Sequence, residues 1–308
     1  MSEDRVDARV DARVDAVAET LFREQDRLVA AFEEFGGDTF RRTPWQRDGF
    51  GRGQVCVLDG GAVLERAAVN VSVVAGTRLP PSITDSAPHL LGQPFRVTGL
   101  SMVVHPANPY APACHANFRY FSSSGSDWWF GGGVDLTPSY GFDEDATHFH
   151  RTLRDWCARH SVGDYPAWKS ACDSYFTLPH RDETRGVGGV FFDRLTGSFA
   201  DHWSCVADGL ATVLPAYRPI LRRRHAQPFT ERERHWQSLR RGRYVEFNLV
   251  HDRGTRFGLQ TGADIDAVLV SLPPLASWEY GLVPEPGSPE ADLQRFLTPQ
   301  DWLRPRGG

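Results

Sequence analysis

The chain reads as an α+β domain built on an antiparallel sheet. About seven segments have strand character, and several are joined by turns too short for the crossover helix that parallel pairing requires. Long amphipathic helical segments lie among them and can cover such a sheet. No low-complexity linker divides the chain after residue 17, so one domain over 17–308 is expected, preceded by an extension over 1–16.

In chain order, residues 5–16 repeat RVDA three times, which fits either a helical extension or a frayed tail. A helix follows over Val17–Phe35, with Leu21, Leu28, Phe32 and Phe35 at helical spacing and Gly36-Gly37 as its stop. GFGRG at 49–53 is a glycine-rich turn without the Lys-Ser/Thr that a phosphate loop needs. Val55–Gly76, Phe95–Val104, the segment after the Pro-rich turn at 106–112, and Trp128–Pro138 are strands. Ser122–Asp127 is a polar turn.

Asp143–His160 opens on three acids, as a helix dipole favours, and buries Ala146, Phe149, Leu153, Trp156 and Cys157. His150 falls at the edge of that stripe and His148 on the solvated side. Tyr165–Phe176 is a helix capped by Asp164, with Pro166 in its first turn. Arg185–Asp193 is a strand, Ser198–Leu214 a helix, and Tyr217–Arg241 a basic helix with Arg222, Arg223 and Arg224 on a solvated face. Tyr244–His251, Phe257–Gly262 and Ala267–Leu272 read as strands, with a turn at Asp252-Arg253-Gly254. Two short capped helices fill Ser288–Leu303.

Composition excludes several classes. Hydrophobic residues make up 41% and charged residues 24%, the balance of a soluble globular protein. No apolar run approaches the roughly 18 residues of a membrane span. With no signal-peptide pattern either, a cytoplasmic protein is expected. The net charge of -5 argues against a general nucleic-acid binder, so an anionic ligand must be held by a local cluster. Five cysteines, none in a C-x-x-C pair, are expected to be free thiols. Serine-hydrolase and dinucleotide fingerprints are absent.

The chemistry concentrates in SMVVHPANPYAPACHANFRYF, residues 101–121. In the strand that ends it, His115, Asn117 and Arg119 share one face, while Ala116, Phe118 and Tyr120 share the other. Imidazole, amide and guanidinium in a row suit an anionic ligand; the plain alternative is a chance mixture on an exposed strand. Cys114 neighbours His115 but faces away from it. WWFGGGVDLTP at 128–138 places three glycines before Asp135, which permits close approach of a backbone or a flat ligand. His105, His115, His150 and His180 stand at element ends; as metal ligands they would carry no short-motif signature.

Long ordered blocks carry a family resemblance. They are VLERAAVNVSVVAG (63–76), HPANPYAPACHANFRYF (105–121), WWFGGGVDLTP (128–138), EDATHFHRTL (144–153), HRDETRGVGGVFFD (180–193), RGRYVEFNLVHDRGTRFGLQTG (241–262) and LPPLASWEYG (272–281). Together they resemble the oxygen-dependent coproporphyrinogen III oxidases over most of the chain from residue 17. The resemblance implies a homodimer, each subunit a flat antiparallel sheet between helical layers, with the substrate in a deep cleft. It implies oxidative decarboxylation of two propionates to vinyl groups, with dioxygen as oxidant and carbon dioxide and hydrogen peroxide as co-products. It implies no organic cofactor, and for bacterial members a divalent metal such as manganese. Residue by residue it makes His115 a proton donor, and His105, His115, His150 and His180 metal ligands. It makes Ser101, Asn117, Phe118 and Arg119 substrate contacts, and gives Asp135, Asp252 and Arg253 roles in binding or catalysis.

Two positions depart from the family's pattern. Gly262-Ala263-Asp264 stands where substrate-contacting Gly-Gly-Arg is usual, and Ser277 where an Arg precedes Trp-Glu-Tyr. An acid at 264 weakens the case for a tetracarboxylate and leaves room for a related enzyme acting on another carboxylate. A metal-dependent oxygenase or decarboxylase acting on an unrelated small acid and a non-catalytic tetrapyrrole binder are the other classes; His115, Asp135, Asp252 and Arg253 argue against the binder, which has no need of acid–base groups.

Overall fold

The computed structural model describes residues 3–77, 79, 87–123, 127–260 and 263–304, with side chains from residue 13 onward. Helix α1, Glu3–Gly36, runs without a break from the repeat into the predicted helix, and Val14, Val17, Leu21, Leu28 and Phe32 are buried along it. A seven-stranded sheet follows: β1 (Arg41–Arg47), β2 (Gly51–Asp59), β3 (Leu64–Gly76), β4 (Phe95–Pro106), β5 (Ala113–Ser123) and β6 (Trp128–Thr137), closed after two helices by β9. Those helices are α2 (Asp143–Ala158) and α3 (Tyr165–Tyr175). A two-residue pair, β7 (Thr177–Leu178) and β8 (Glu183–Thr184), leads to β9 (Gly188–Leu195).

Strand order is β1-β2-β3-β4-β5-β6-β9, every pair antiparallel. The β1 edge was not foreseen. It lies exposed, and Pro44 together with Arg41, Arg42 and Arg47 makes it a poor template for further pairing. The turn before β2 covers only 48–50; Gly51 and Gly53 already pair, where a Cβ would strike the backbone of β3. At the other edge α3 straddles β9. Its Trp168 packs on Phe192 at 4.5 Å on one face, and its Tyr175 stacks on Phe191 at 4.4 Å on the other.

The chain then forms α4 (Phe199–Arg224), α5 (Glu231–Val250), α6 (Arg253–Gln260), α7 (Ile265–Leu269) and α8 (Pro289–Asp292). Helix α4 continues through Pro215 and Pro219. Pro219 has no N–H for the Pro215 carbonyl, and His148 Nε2 donates to that oxygen instead, at 3.1 Å. His148 is therefore a helix partner and not a merely solvated residue.

The predicted basic helix divides at 225–230, and Thr230 with Glu233 forms a capping box that starts α5. Arg224 is not on a solvated face: it is buried, bonds Asp145 Oδ2 at 2.7 Å and lies over Phe142. Helices stand where the three strands after residue 243 were predicted; residues 261–262 of the second lie outside the described residues. Tyr244–His251 belongs to α5, which buries Tyr244, Phe247 and Asn248 on one helical face; Phe257 lies in α6 and Ala267 in α7. Aromatic and β-branched residues gave those stretches strand character, and tertiary packing overrides it. In the tail, only the helix capped by Ser288 forms, followed by a 3₁₀ turn over Leu293–Phe296.

The sheet has two unlike faces. One packs against α1, α2 and α4 through Val69, Met102, Ala116, Phe118, Tyr120, Phe130 and Val134, all buried. The other faces α5, α6 and α7 across an open cleft.

Candidate functional site

The cleft has a volume of about 820 Å³, near the upper end of the range for small-molecule sites. Its floor is the alternate residues of the sheet. One cross-strand row is Asn70, Ser101, Asn117 and Gly133; the next is Ala68, Val103, His115 and Asp135. Among the described residues, five arginines (47, 119, 185, 194 and 253) and three aspartates (193, 252 and 264) line it. A chain of net charge -5 thus holds a local surplus of positive charge.

The register of β5 and β6 sets His115 opposite Asp135, and His115 Nδ1 donates to Asp135 Oδ1 at 2.8 Å. The bond fixes the tautomer and leaves Nε2 as the nitrogen for a ligand. The other Asp135 oxygen accepts from Arg185 Nη2 at 2.6 Å, and Arg185 Nη1 donates to Asn248 at 2.9 Å. Arg185 is buried within reach of three rings, Phe176 at 4.1 Å, Tyr244 at 4.5 Å and Phe247 at 4.9 Å. Burial alone would raise the Asp135 pKa; the Arg185 charge and the His115 hydrogen bond outweigh it and hold the carboxyl below its ordinary range. Asp135 is thus a fixed anion that orients the imidazole and can stabilise its charged form.

A second cluster lies along β5 and β9. Arg119 Nη1 donates to Asn117 Oδ1 at 3.0 Å and Nη2 to Asp193 Oδ1 at 2.8 Å. A Cβ at Gly131 would fall 2.7 Å from Arg119 Nη2, so that glycine gives the guanidinium its bed. Arg253 Nη1 lies 3.5 Å from Asp193 Oδ2, with its guanidinium over Tyr175. Asp252 caps α6: its Oδ2 accepts from the Thr255 amide at 2.7 Å, and its Oδ1 accepts from Tyr175 Oη at 2.9 Å. Burial, with Asp252 beside it, pushes the Tyr175 pKa up to about 12.

The structure gathers His115, Asp135, Ser101, Asn117, Arg119, Asp252, Arg253, Ala263 and Asp264 at or under this cleft. Gly262 lies outside the described residues. Phe118 does not face the cleft: its ring is fully buried on the opposite face, against Trp156 and Phe192. Asp264 caps α7 by accepting from the Asp266 amide at 2.9 Å. Ser277 is not among the cleft residues; its amide donates to Ser238 O at 3.0 Å on α5.

The four histidines named as metal ligands do not converge. His105 donates from Nε2 to Ser271 O at 2.9 Å, and burial holds its pKa down to about 3. His150 donates from Nε2 to Val187 O and accepts at Nδ1 from Tyr165 Oη, both at 2.9 Å, so neither nitrogen is left for a metal; burial holds its pKa down to about 3. His180 pairs with Glu246 at 2.8 Å on an exposed surface, with His251 3.3 Å away. Among the described residues no three metal-ligating side chains come together. This donor set does not fit one shared metal ion.

Reasoning from sequence missed Arg185, Asp193, Arg194 and Tyr175. Strand alternation through Gly189, Phe191 and Asp193 offered a signal for Asp193, whereas a buried Arg185 beneath Asp135 had none.

A protein-family model described as Coproporphyrinogen III oxidase matches residues 16–302. The match spans α1 to the tail and includes every residue of the cleft. No helix among the described residues is long and apolar enough to cross a membrane. With a cleft that sets an oriented imidazole among arginines and a match over nearly the whole sequence, the chain belongs to the coproporphyrinogen III oxidase family, a family of oxidoreductases of haem biosynthesis.

Proposed function

We propose that the protein oxidatively decarboxylates two propionate groups of coproporphyrinogen III to vinyl groups, giving protoporphyrinogen IX with dioxygen as acceptor. The observation that carries this reading is the His115–Asp135–Arg185 chain opening onto an arginine-lined cleft of tetrapyrrole-binding size. Each propionate loses carbon dioxide and two electrons as its vinyl double bond forms. Dioxygen takes the electron pair and two protons to become hydrogen peroxide. One proton comes from the substrate and one from solvent, and His115 Nε2 is the cleft group suited to deliver the latter. Asp135 holds the imidazole through Nδ1, and its depressed pKa keeps it anionic while His115 cycles. Arg119 and Arg253 bind carboxylates by charge-assisted hydrogen bonds. Asp252 acts through position: with both oxygens engaged, it sets the start of α6 and the Tyr175 hydroxyl.

No step in this reading passes through a metal or an organic cofactor. The working unit is a homodimer, for which exposed Leu249, Val250, Trp278 and Tyr280 offer apolar surface. A cytoplasmic setting is supported by five free, buried cysteines.

The test is incubation of purified protein with coproporphyrinogen III in air and under anaerobic conditions, with product masses read after oxidation to porphyrins. Loss of two carbon dioxide units in air alone is expected; loss without oxygen would overturn the acceptor, and no loss the substrate.

A second reading keeps the chemistry and changes the carboxylate substrate. Asp264 on the cleft wall favours it, because an acid there repels substrate carboxylates. If Asp264→Arg gains coproporphyrinogen turnover that the wild type lacks, the second reading stands.

A further inference from the structure

Strand β9 carries an irregularity that the acid–base chain does not explain. From Leu136↔Gly188 to Gly132↔Phe192, β6 and β9 pair residue for residue; the next pair is Phe130↔Leu195, so β9 holds one extra residue at 193–194. Regular alternation would send Asp193 to the cleft and Arg194 into the core. Instead Asp193 and Arg194 both line the cleft, and Leu195 returns to the core cluster. The backbone is held accordingly: Arg194 sits at φ 57°, a left-handed conformation that strains a residue with a Cβ. A bulge is a recognised means of re-aiming side chains beside a site.

The bulge adjoins the second cluster. Asp193 Oδ1 accepts from Arg119 Nη2 at 2.8 Å and from the Arg194 amide at 3.2 Å, and its Oδ2 lies 3.5 Å from Arg253 Nη1. The Arg194 guanidinium lies 5.5 Å over the ring of Trp129, itself a cleft residue. The Arg119 and Arg253 guanidinium groups thus flank one carboxylate, a charge balance that a ligand carboxylate improves, and the bulge turns Arg194 into the same cleft. Arg119 is four residues along β5 from His115, roughly 13 Å at strand rise.

We propose that the 193–194 bulge builds a carboxylate-recognition site at the end of the cleft remote from His115. Arg194 is its specificity-determining residue, and Asp193 is a positioning residue that spaces Arg119 and Arg253. The ligand class is the propionate of a tetrapyrrole, and the propionate held there is not the one presented to His115. The inference rests on the tetrapyrrole reading above. It assigns a reason for the strained backbone: the strand forgoes regular pairing to turn a second charged residue into the cleft.

Arg194→Gly and Arg194→Asn separate recognition from structure, since both residues accept a left-handed φ. The probes are coproporphyrin III, the oxidised and unreactive tetracarboxylate, and its tetramethyl ester, followed by quenching of the tryptophans that line the cleft. Both variants are expected to keep or raise Tm, to bind coproporphyrin III about tenfold more weakly, as loss of one charge-assisted hydrogen bond implies, and to bind the ester as the wild type does. In turnover KM rises and kcat is kept. An unchanged acid-to-ester preference overturns the proposal. So does a fall in Tm with equal loss of acid and ester binding, which would make the bulge structural. Failure of the tetrapyrrole reading looks different: neither porphyrin binds to the wild type, and it turns over no coproporphyrinogen III.

Discussion

The two faces of the sheet come from the same strands and do opposite work. On β5, Ala116, Phe118 and Tyr120 are buried against helices, while His115, Asn117 and Arg119 one residue away line the cleft. The closed face is apolar and supports the fold by burial. The open face sets polar and charged groups among apolar ones such as Val97, Val103 and Phe121, and those groups are held by one another: His115 by Asp135, Asp135 by Arg185, Arg119 by Asp193. A sheet can therefore be a stable core and a preorganised site at once, because alternation keeps the two sets of side chains apart.

Substitutions on either face can break that division. The largest effect is expected at His115. His115→Asn should lower kcat by roughly 10²–10⁴-fold, the usual range for a general acid–base group, with little change in Tm. A loss of Tm matching the loss of rate would place His115 with the structural face. On the closed face, Phe118→Ala should cost about 3–5 kcal/mol in chemical denaturation, the range for a buried ring left as a cavity, with KM of any folded enzyme unchanged. Asn117→Ala, next to it on the open face, should change stability by less than about 0.5 kcal/mol and raise KM; a stability loss as large as that of Phe118→Ala would end the comparison.

The smallest effect is a graded one with pH. An unfolded imidazole takes a proton below about 6.5, whereas buried His105 and His150 stay neutral down to about 3. Between those limits the unfolded state binds more protons, so stability falls as pH drops through that window. The slope of Tm against pH between 6.5 and 4 should be shallower in His150→Gln; an unchanged slope would mean that His150 titrates alike in both states.

Legibility in the sequence followed the same division. The alternation of His115, Asn117 and Arg119 showed the open face of β5 directly, and the acids at Asp143, Glu144 and Asp145 located α2. The class and the antiparallel pairing were readable because the strands are consecutive in the chain. The roof was not. Tyr244, Phe247, Asn248 and His251 have helical spacing, but their aromatic and β-branched neighbours look like a strand. The packing of Tyr244 against Val57, Ala68 and Val103, far away in sequence, settles the matter. Arg185 and Arg194 stayed hidden for a similar reason: a buried ion pair and a bulge depend on pairing across strands, which no local pattern records. The histidines misled in the opposite direction. Four imidazoles at element ends invite a metal, yet His105 and His150 spend their hydrogen bonds on the carbonyls of Ser271 and Val187.

A crystal structure of the protein with coproporphyrin III would test the central claim most directly. The macrocycle should lie on the open face over Gly99, Asn117 and Gly133, with one propionate at His115 Nε2 and another among Arg119, Arg194 and Arg253. A porphyrin bound elsewhere, or in the cleft with no carboxylate near His115, would contradict the account.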